Sequence, residues 1–140
     1  KEIGASKTIS RKEVTENSDR QIMKGRWAGV IDTVGGDMLA AAIKSPIHLG
    51  VITCCGNVAS PELPINVFPF ILRGVSLVGI DSQNCPLNHR KELWEKLSRD
   101  WKPEFPADFH NEISLEELND NIRLILKGKL KGRTLVNLGS

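Results

Sequence analysis

Short runs of mainly apolar residues recur along the chain and are separated by polar segments. Val and Ile are frequent in these runs, and Gly, Asn, Asp or Ser often follows them, a pattern that is typical of buried β-strands. The runs predict five strands, at residues 6–10, 27–31, 51–55, 75–80 and 134–138.

The segments between the predicted strands carry apolar residues at helical spacing. They predict helices at residues 38–44, 68–74, 85–101 and 114–128. Asp37 is the expected N-cap of the first helix, and Ser114 with Glu117 makes a capping box for the last one. A core or interface face is expected at Leu93, Trp94, Leu97 and Trp101 in the third helix, and a buried face at Leu115, Leu118, Ile122, Ile125 and Leu126 in the fourth. Strands that alternate with helices predict an α/β layer fold with a largely parallel sheet.

The ends of two predicted neighbouring strands are the first candidates for a ligand site. Gly56 with Asn57 follows the strand at 51–55, and Asp81 with Ser82 follows the strand at 75–80. The carboxyl ends of parallel strands meet at one edge of a sheet, and ligands of open α/β folds bind at that edge. The sequence therefore predicts that both pairs lie near a bound ligand.

Two other features are suited to a phosphate group. Gly35-Gly36 follows a predicted strand and could cradle a phosphate, but the full G-x-G-x-x-G pattern is absent, so a structural turn is favoured. Arg11 and Lys12 follow the predicted strand at 6–10. A fixed positive charge there could contact a phosphate or simply belong to a solvated loop, and the residues alone leave both interpretations open.

Composition narrows the function classes. The 140 residues carry 19 Lys and Arg against 17 Asp and Glu, and the signs are mixed along the chain, which argues against an extended nucleic-acid surface. No stretch approaches the roughly 20 apolar residues of a membrane-spanning helix, so a soluble, cytoplasmic protein is expected. The 3 cysteines lack C-x-x-C spacing and predict neither a disulfide framework nor a metal site.

Several motifs in order resemble one enzyme family. They are IGAS and ISRKEV near the start, then WAGVIDTVGG, PFILRGVSLVGIDS, ISLEEL and KGRTLV. The chain resembles the zinc-independent quinone oxidoreductase and acrylyl-CoA reductase branch of the medium-chain dehydrogenase/reductase superfamily. The resemblance implies NADPH-dependent hydride transfer to a quinone or an activated double bond of a small-molecule substrate. It also implies a longer protein with a GroES-like catalytic domain and a Rossmann domain.

The resemblance also assigns roles to individual residues. It implies that Arg11 contacts the adenosine 2′-phosphate of NADP(H) and that Gly56 and Asn57 lie near the nicotinamide. The remaining implied cofactor contacts are the backbone of Phe70, Ile71 and Leu72 at the carboxamide, and Asp81 and Ser82 on the far side of the pocket. The strand from Val75 to Ile80 is expected to pair with its copy in a homodimer. No catalytic residue and no metal ligand is assigned to this chain.

The expected fold is a partial Rossmann domain, doubly wound and mostly parallel, that lacks its first βα unit. Residues 1–112 are assigned to the NADP-binding domain, and residues 113–140 to a helix and strand that return to the catalytic domain. We expect no catalysis from these residues alone. Two alternatives are a stand-alone nucleotide-binding or dimerisation module and a fragment of a zinc alcohol dehydrogenase, the second disfavoured by the absence of a closely spaced cysteine set.

Overall fold

The computed structural model describes residues 4–139 and divides them into two compact units. One unit consists of residues 8–93, and the other consists of residues 94–139 together with 4–7. Both units are built from parallel strands and helices, as the sequence predicts. The predicted boundary at residues 112 and 113 concerns the domains of a longer protein and stays a prediction.

A three-stranded parallel sheet organises residues 8–93. Its strands are β1 (Trp27–Asp32), β2 (Pro46–Cys54) and β3 (Ser76–Gly79), in the spatial order β1-β2-β3. The two predicted strands that suggested a ligand site are therefore parallel neighbours, with Val51 opposite Ser76.

Three helices accompany this sheet: α1 (Arg11–Thr15), α2 (Gly36–Lys44) and α3 (Phe68–Arg73). Leu39 and Ile43 of α2 pack with Ile52 of β2 in the buried core, to which Val75 also belongs. Side chains alternate along a strand, so the core lies on the Ile52 side of the sheet. On the opposite side, Ile31 is 82% exposed.

The expected strand at residues 6–10 is wrong. Ser10 instead caps α1, because its Oγ accepts a hydrogen bond from the backbone N–H of Glu13 at 3.1 Å. A serine hydroxyl satisfies one of the unpaired donors at a helix start, and this local bond outweighs the weak strand pattern around Ile9.

Strand β2 begins earlier than the apolar pattern indicates. Pro46 pairs with Trp27, but regular pairing with β1 resumes only at Val51, opposite Gly29. The irregularity between these pairs includes Leu49, whose φ is 60°. The sequence thus locates the regular part of the strand and misses the irregular part before it.

The expected cap of α2 is also wrong. The helix begins at Gly36 with Gly35 at the N-cap, and no side chain caps it there. Asp37 lies exposed in the first turn, while the carboxylate of Asp32 accepts a hydrogen bond from the N–H of Gly35. An acceptor at the end of the strand holds the turn just before the helix.

The second unit contains a two-stranded parallel sheet of β4 (His110–Ser114) and β5 (Arg133–Asn137). Helix α5 (Leu118–Leu126) connects the two strands along the chain. A short 3-10 turn, Ala107–Phe109, precedes β4. The capping-box glutamate is confirmed in part, because Glu117 accepts from the N–H of Ser114 at 2.9 Å.

The face of α5 that was expected to be buried is exposed, and the face of α4 that was expected in a core or an interface is not buried within the chain. Helix α4 (Leu87–Ser98) is shorter than expected, and Trp94 is 65% exposed. In α5, Ile125 is 62% and Leu126 81% exposed. Helical spacing predicts which residues share a face, but the spacing does not provide the partner that would cover it. None of the helices in residues 4–139 is long and apolar enough to cross a membrane.

Candidate functional site

The carboxyl ends of the three strands form one continuous edge. Asp32 pairs with Cys54, and Cys54 pairs with Gly79, so the strands end side by side. The edge continues past the strands, since the N–H of Cys55 donates to Asp32 O and the N–H of Ile80 donates to Cys54 O, both at 2.9 Å. Gly56, Asn57, Asp81 and Ser82 therefore follow strand ends on the same edge, as predicted.

Two loops run together at this edge, and we call them the β1 loop (residues 33–36) and the β2 loop (residues 55–60). The N–H of Ala59 donates to Val34 O at 2.8 Å, and Gly35 forms a parallel bridge with Ser60. The pairing extends the parallel arrangement of β1 and β2 beyond the strands. Asn57 is consequently presented by a loop that is held in place by its neighbour.

Glycine is required where the loops touch. Gly35 has φ 73°, and a Cβ there would collide with the carbonyl oxygen of Ser60. A Cβ on Gly56 would lie 2.5 Å from Thr33 O. Close contact between the two backbones accounts for both glycines, which agrees with the structural interpretation favoured for the Gly35-Gly36 pair.

The side chain of Asp32 is buried at the base of the β1 loop. The residue is 6% exposed, and its Oδ2 accepts from the N–H of Gly35 at 3.0 Å. The backbone oxygen of the same residue also accepts from the thiol of Cys55 at 3.2 Å. Asp32 thus contacts both loops, one through its side chain and the other through its backbone.

At the end of β3, Asp81 holds a tight polar turn. Its carboxylate accepts from Asn84 Nδ2 at 2.6 Å and from the backbone N–H groups of Asn84 and Gln83 at 3.1 Å. The pKa of Asp81 lies below its ordinary value, chiefly because of the Asn84 side chain and then its backbone N–H. Ser82 is exposed and its carbonyl accepts from Arg90 Nη2 at 2.7 Å.

The three residues expected at the carboxamide lie in α3. Phe70 packs against the core, whereas Ile71 and Leu72 are exposed. The N–H groups of Phe70 and Ile71 both donate to Val67 O at 3.1 Å. These two donors are therefore engaged within the helix start, and a ligand would meet the exposed side chains or the carbonyl oxygens of this segment.

Arg11 is the first residue of α1, and its side chain is exposed. The structure therefore places Arg11 on a helix, whereas the sequence prediction placed it after a strand. Its role at the 2′-phosphate stays a prediction.

Sequence reasoning missed the residues that join the two loops. Asp32 and Thr33 follow a strand, and such residues ordinarily indicate only a turn. Ser60 lies in a proline-flanked loop without a strong pattern. The one available signal was the position of Asp32 and Thr33 just after the predicted strand at 27–31.

One cavity borders the β1 loop. In residues 8–93, a cavity of about 290 Å³ is lined by residues 29–34 and by Met38 of α2, so Asp32, Thr33 and Val34 belong to its lining. In the second unit, a cavity of about 600 Å³ lies at the carboxyl ends of β4 and β5. Glu116 lines this second cavity, and its pKa lies below the ordinary value. The causes are hydrogen bonds from the backbone N–H of Glu116 itself and from the Ser114 side chain. Within residues 4–139, no cluster of His, Cys, Asp or Glu is arranged to hold a metal ion.

Comparison with known proteins identifies close relatives, although no family model matches the chain. Over 139 residues, 99% of its length, the chain is 40% identical to a Bacillus subtilis protein named quinone oxidoreductase YhfP and spans 42% of that protein. It is 33% identical over 138 residues to the acrylyl-CoA reductase AcuI of Ruegeria pomeroyi, again spanning 42%.

Solved structures agree with these relationships. The crystal structure of Bacillus subtilis YhfP with NAD bound gives a TM-score of 0.87 at 40% identity, covering 96% of this chain and 41% of that one. Escherichia coli YhdH with bound NADPH gives 0.83 at 37% identity, covering 97% and 42%. The chain thus spans about two fifths of the length of these relatives.

Proposed function

We propose that this chain is the cofactor-binding part of an NADPH-dependent oxidoreductase. Its resemblance to the quinone oxidoreductase and acrylyl-CoA reductase branch is confirmed over 99% of its length. The reaction would transfer hydride to a quinone or to an activated enoyl or acrylyl double bond. The observation that carries the proposal is the similarity to proteins whose solved structures hold NAD or NADPH. The paired loops at the carboxyl edge support it, because ligands of open α/β sheets bind at such edges.

Within this proposal, the chain orients the cofactor and does not react itself. The cofactor supplies the hydride, and the protein fixes its nicotinamide relative to the substrate. Gly56 and Asn57 would lie beside the nicotinamide, with Asp81 and Ser82 lining the far side. The carbonyl oxygens of residues 70–72 would accept from the carboxamide, because a carbonyl has a second lone pair even when one is used within a helix.

We assign the preference for NADPH over NADH to Arg11. A guanidinium carries a fixed charge and forked donors that fit a phosphate dianion. Loss of such a contact weakens binding by about 1.5–3 kcal/mol, roughly tenfold to a hundredfold in Kd. Arg11→Ala should therefore reduce the affinity for NADPH towards that for NADH.

The test is a titration of the chain with NADPH and with NADH, followed by nicotinamide fluorescence and by amide chemical shifts. NADPH should shift the amides of Gly56 and Asn57 in the wild type. Arg123→Ala is the matched control, because Arg123 is an exposed arginine paired with Asp120 in the other unit. Shifts confined to other parts of the chain would contradict the proposed site, and equal affinities for the two cofactors would contradict the role of Arg11.

We further propose that these 140 residues do not turn over substrate on their own, because no catalytic residue is assigned to them. The measurement is NADPH oxidation with a quinone or acrylyl-CoA, compared with a heat-treated sample. A rate above that of the heated sample would contradict this proposal. Binding without turnover is also what the alternative of a stand-alone nucleotide-binding module predicts, but the similarity to named reductases favours the reductase.

A homodimer through β3 is the proposed assembly, in a protein that we expect to be cytoplasmic. Among residues 4–139, β3 pairs only with β2, and Val78 is 43% exposed on it. An unpaired apolar strand edge is a surface on which a second strand can add. Sedimentation should show a dimer that Val78→Lys dissociates. The control Val58→Lys alters a loop valine that is 88% exposed and should leave the dimer intact.

A further inference from the structure

We infer that Asp32 is a positioning residue that fixes the β1 loop against the β2 loop and thereby sets the position of Asn57. The inference rests on the proposed function only for the identity of the ligand that Asn57 would meet. The coupling of the two loops follows from contacts within residues 8–93.

The first step is the burial of the Asp32 carboxylate. The residue is 6% exposed, and its carboxylate accepts from the N–H of Gly35 at 3.0 Å. A buried N–H that loses its acceptor is left unsatisfied, which is more unfavourable than the loss of an exposed hydrogen bond. The turn from Asp32 to Gly35 is therefore held by this side chain.

The second step is the connection of that turn to the β2 loop. Val34 O accepts from the N–H of Ala59 at 2.8 Å, and Gly35 bridges to Ser60. Asn57 lies close as well, since a Cβ on Gly35 would be 3.1 Å from the Asn57 Cα. A shift of the β1 loop must therefore displace the β2 loop or break its hydrogen bonds.

An aspartate suits position 32 better than an asparagine or an alanine. A carboxylate offers acceptors alone, and negative charge is favourable near the start of a helix such as α2. An asparagine can still accept from Gly35 through its amide oxygen, but it brings two N–H donors into a buried position. Asp32→Asn should thus retain much of the coupling, whereas Asp32→Ala should remove it.

The experiment measures amide hydrogen exchange in the wild-type chain and in Asp32→Ala, Asp32→Asn and Asp37→Ala. The amide of Ala59 reports the contact between the loops, and the amide of Ile80, which donates to Cys54 O, reports the neighbouring contact between β2 and β3. In Asp32→Ala, exchange at Ala59 should rise by about tenfold or more with Ile80 changed less than about twofold. Asp32→Asn should recover most of the protection, and Asp37→Ala, a change of an exposed aspartate in α2, should match the wild type.

The same four proteins are titrated with NADPH. A weaker NADPH response at Asn57 in Asp32→Ala, together with faster exchange at Ala59, supports the inference. Unchanged exchange at Ala59 overturns it, and so does an equal rise at Ala59 and Ile80, because the aspartate would then serve general stability. If Asp32→Ala does not fold, Asp32→Asn decides: a rise of a few fold in exchange at Ala59 with Ile80 unchanged supports the inference, and exchange at both amides equal to the wild type overturns it. Faster exchange at Ala59 without any NADPH binding by the wild type supports the coupling and contradicts the proposed function.

Discussion

At the scale of single residues, the contact between Gly56 and Thr33 shows why a small residue is needed in the β2 loop. A Cβ at Gly56 would lie 2.5 Å from Thr33 O, and this atom belongs to the backbone. The two loops must then separate to accommodate even a methyl group. Gly56→Ala should lower the free energy of unfolding by about 1–3 kcal/mol.

Chemical denaturation of the variant measures this loss. Gly79→Ala is the matched control, since a Cβ at Gly79 meets nothing within 4 Å. An alanine in a strand restricts the unfolded chain without a clash, so the control should be neutral or slightly more stable. Equal stability of Gly56→Ala and Gly79→Ala would show that the loops are not in close contact.

The Asp81 carboxylate gives a prediction about pH. The Asn84 side chain, the Asn84 N–H and the Gln83 N–H hold its pKa below the ordinary value. A group whose pKa is depressed in the folded protein contributes stability above its unfolded pKa and loses it as the pH falls through the folded pKa. The wild type should therefore exceed Asp81→Asn in stability near neutral pH, and the difference should shrink in acid.

Two measurements check this expectation. An NMR titration of the Asp81 side chain should give a pKa below that of an unstructured aspartate. Thermal unfolding of the wild type and of Asp81→Asn, compared at falling pH, should then converge. A stability difference that does not change with pH would rule out the carboxylate as the cause.

At the scale of elements, Arg73 connects α3 to the start of β2 and the end of α2. Its Nη1 donates to Pro46 O at 2.8 Å and to Lys44 O at 3.3 Å, and its Nη2 donates to Met23 O at 2.6 Å. A planar guanidinium can make this set of bonds at once, whereas a lysine ammonium cannot match its geometry.

Arg73→Lys should therefore lower the free energy of unfolding by about 1.5–3 kcal/mol, the range for a hydrogen bond to a charged group. Arg123→Lys is the control, because Arg123 makes an exposed pair with Asp120 at 3.1 Å and such pairs contribute about 0–1 kcal/mol. A loss at Arg73 no larger than that of the control would mean that the three carbonyl contacts do not join these elements.

Helix α3 shows which features of an element the sequence can predict. Pro69 and Gly74 mark the two ends of α3, and the structure confirms the helix with Gly74 in the left-handed conformation. The signals for such an element lie within a few residues of each other. Burial of Ile125 was predicted from spacing alone and is wrong, because burial depends on a partner that the spacing does not specify.

The candidate site could likewise be predicted from the sequence only in part. Gly56 and Asp81 could be placed at one edge because the position of a loop follows from the direction of parallel strands. The role of Asp32 could not be predicted, since it depends on contacts with the loop near Cys55 and Ser60, more than 20 residues further along the chain. Sequence spacing predicts local elements well and gives no direct information on contacts between distant loops.

At the scale of the whole molecule, the buried apolar residues are unevenly distributed. Ile113 is the sole buried hydrophobic residue described in the second unit, whereas Ile43 and Ile52 are 0% exposed in the core of residues 8–93. Apolar burial is the main favourable term in folding. Residues 94–139 should therefore unfold at a lower denaturant concentration than residues 8–93.

The tryptophans allow this prediction to be measured, because Trp27 lies in the first unit and Trp94 and Trp101 lie in the second. In Trp27→Phe, fluorescence reports the second unit alone. In the double variant Trp94→Phe/Trp101→Phe, it reports the first. Because elements with few buried contacts open at lower free energy, the midpoint in Trp27→Phe should be the lower of the two. Coincident midpoints would instead mean that one cooperative transition includes both units, and the stability of the proposed cofactor edge would then depend on β4 and β5 as well as on the core around Ile52.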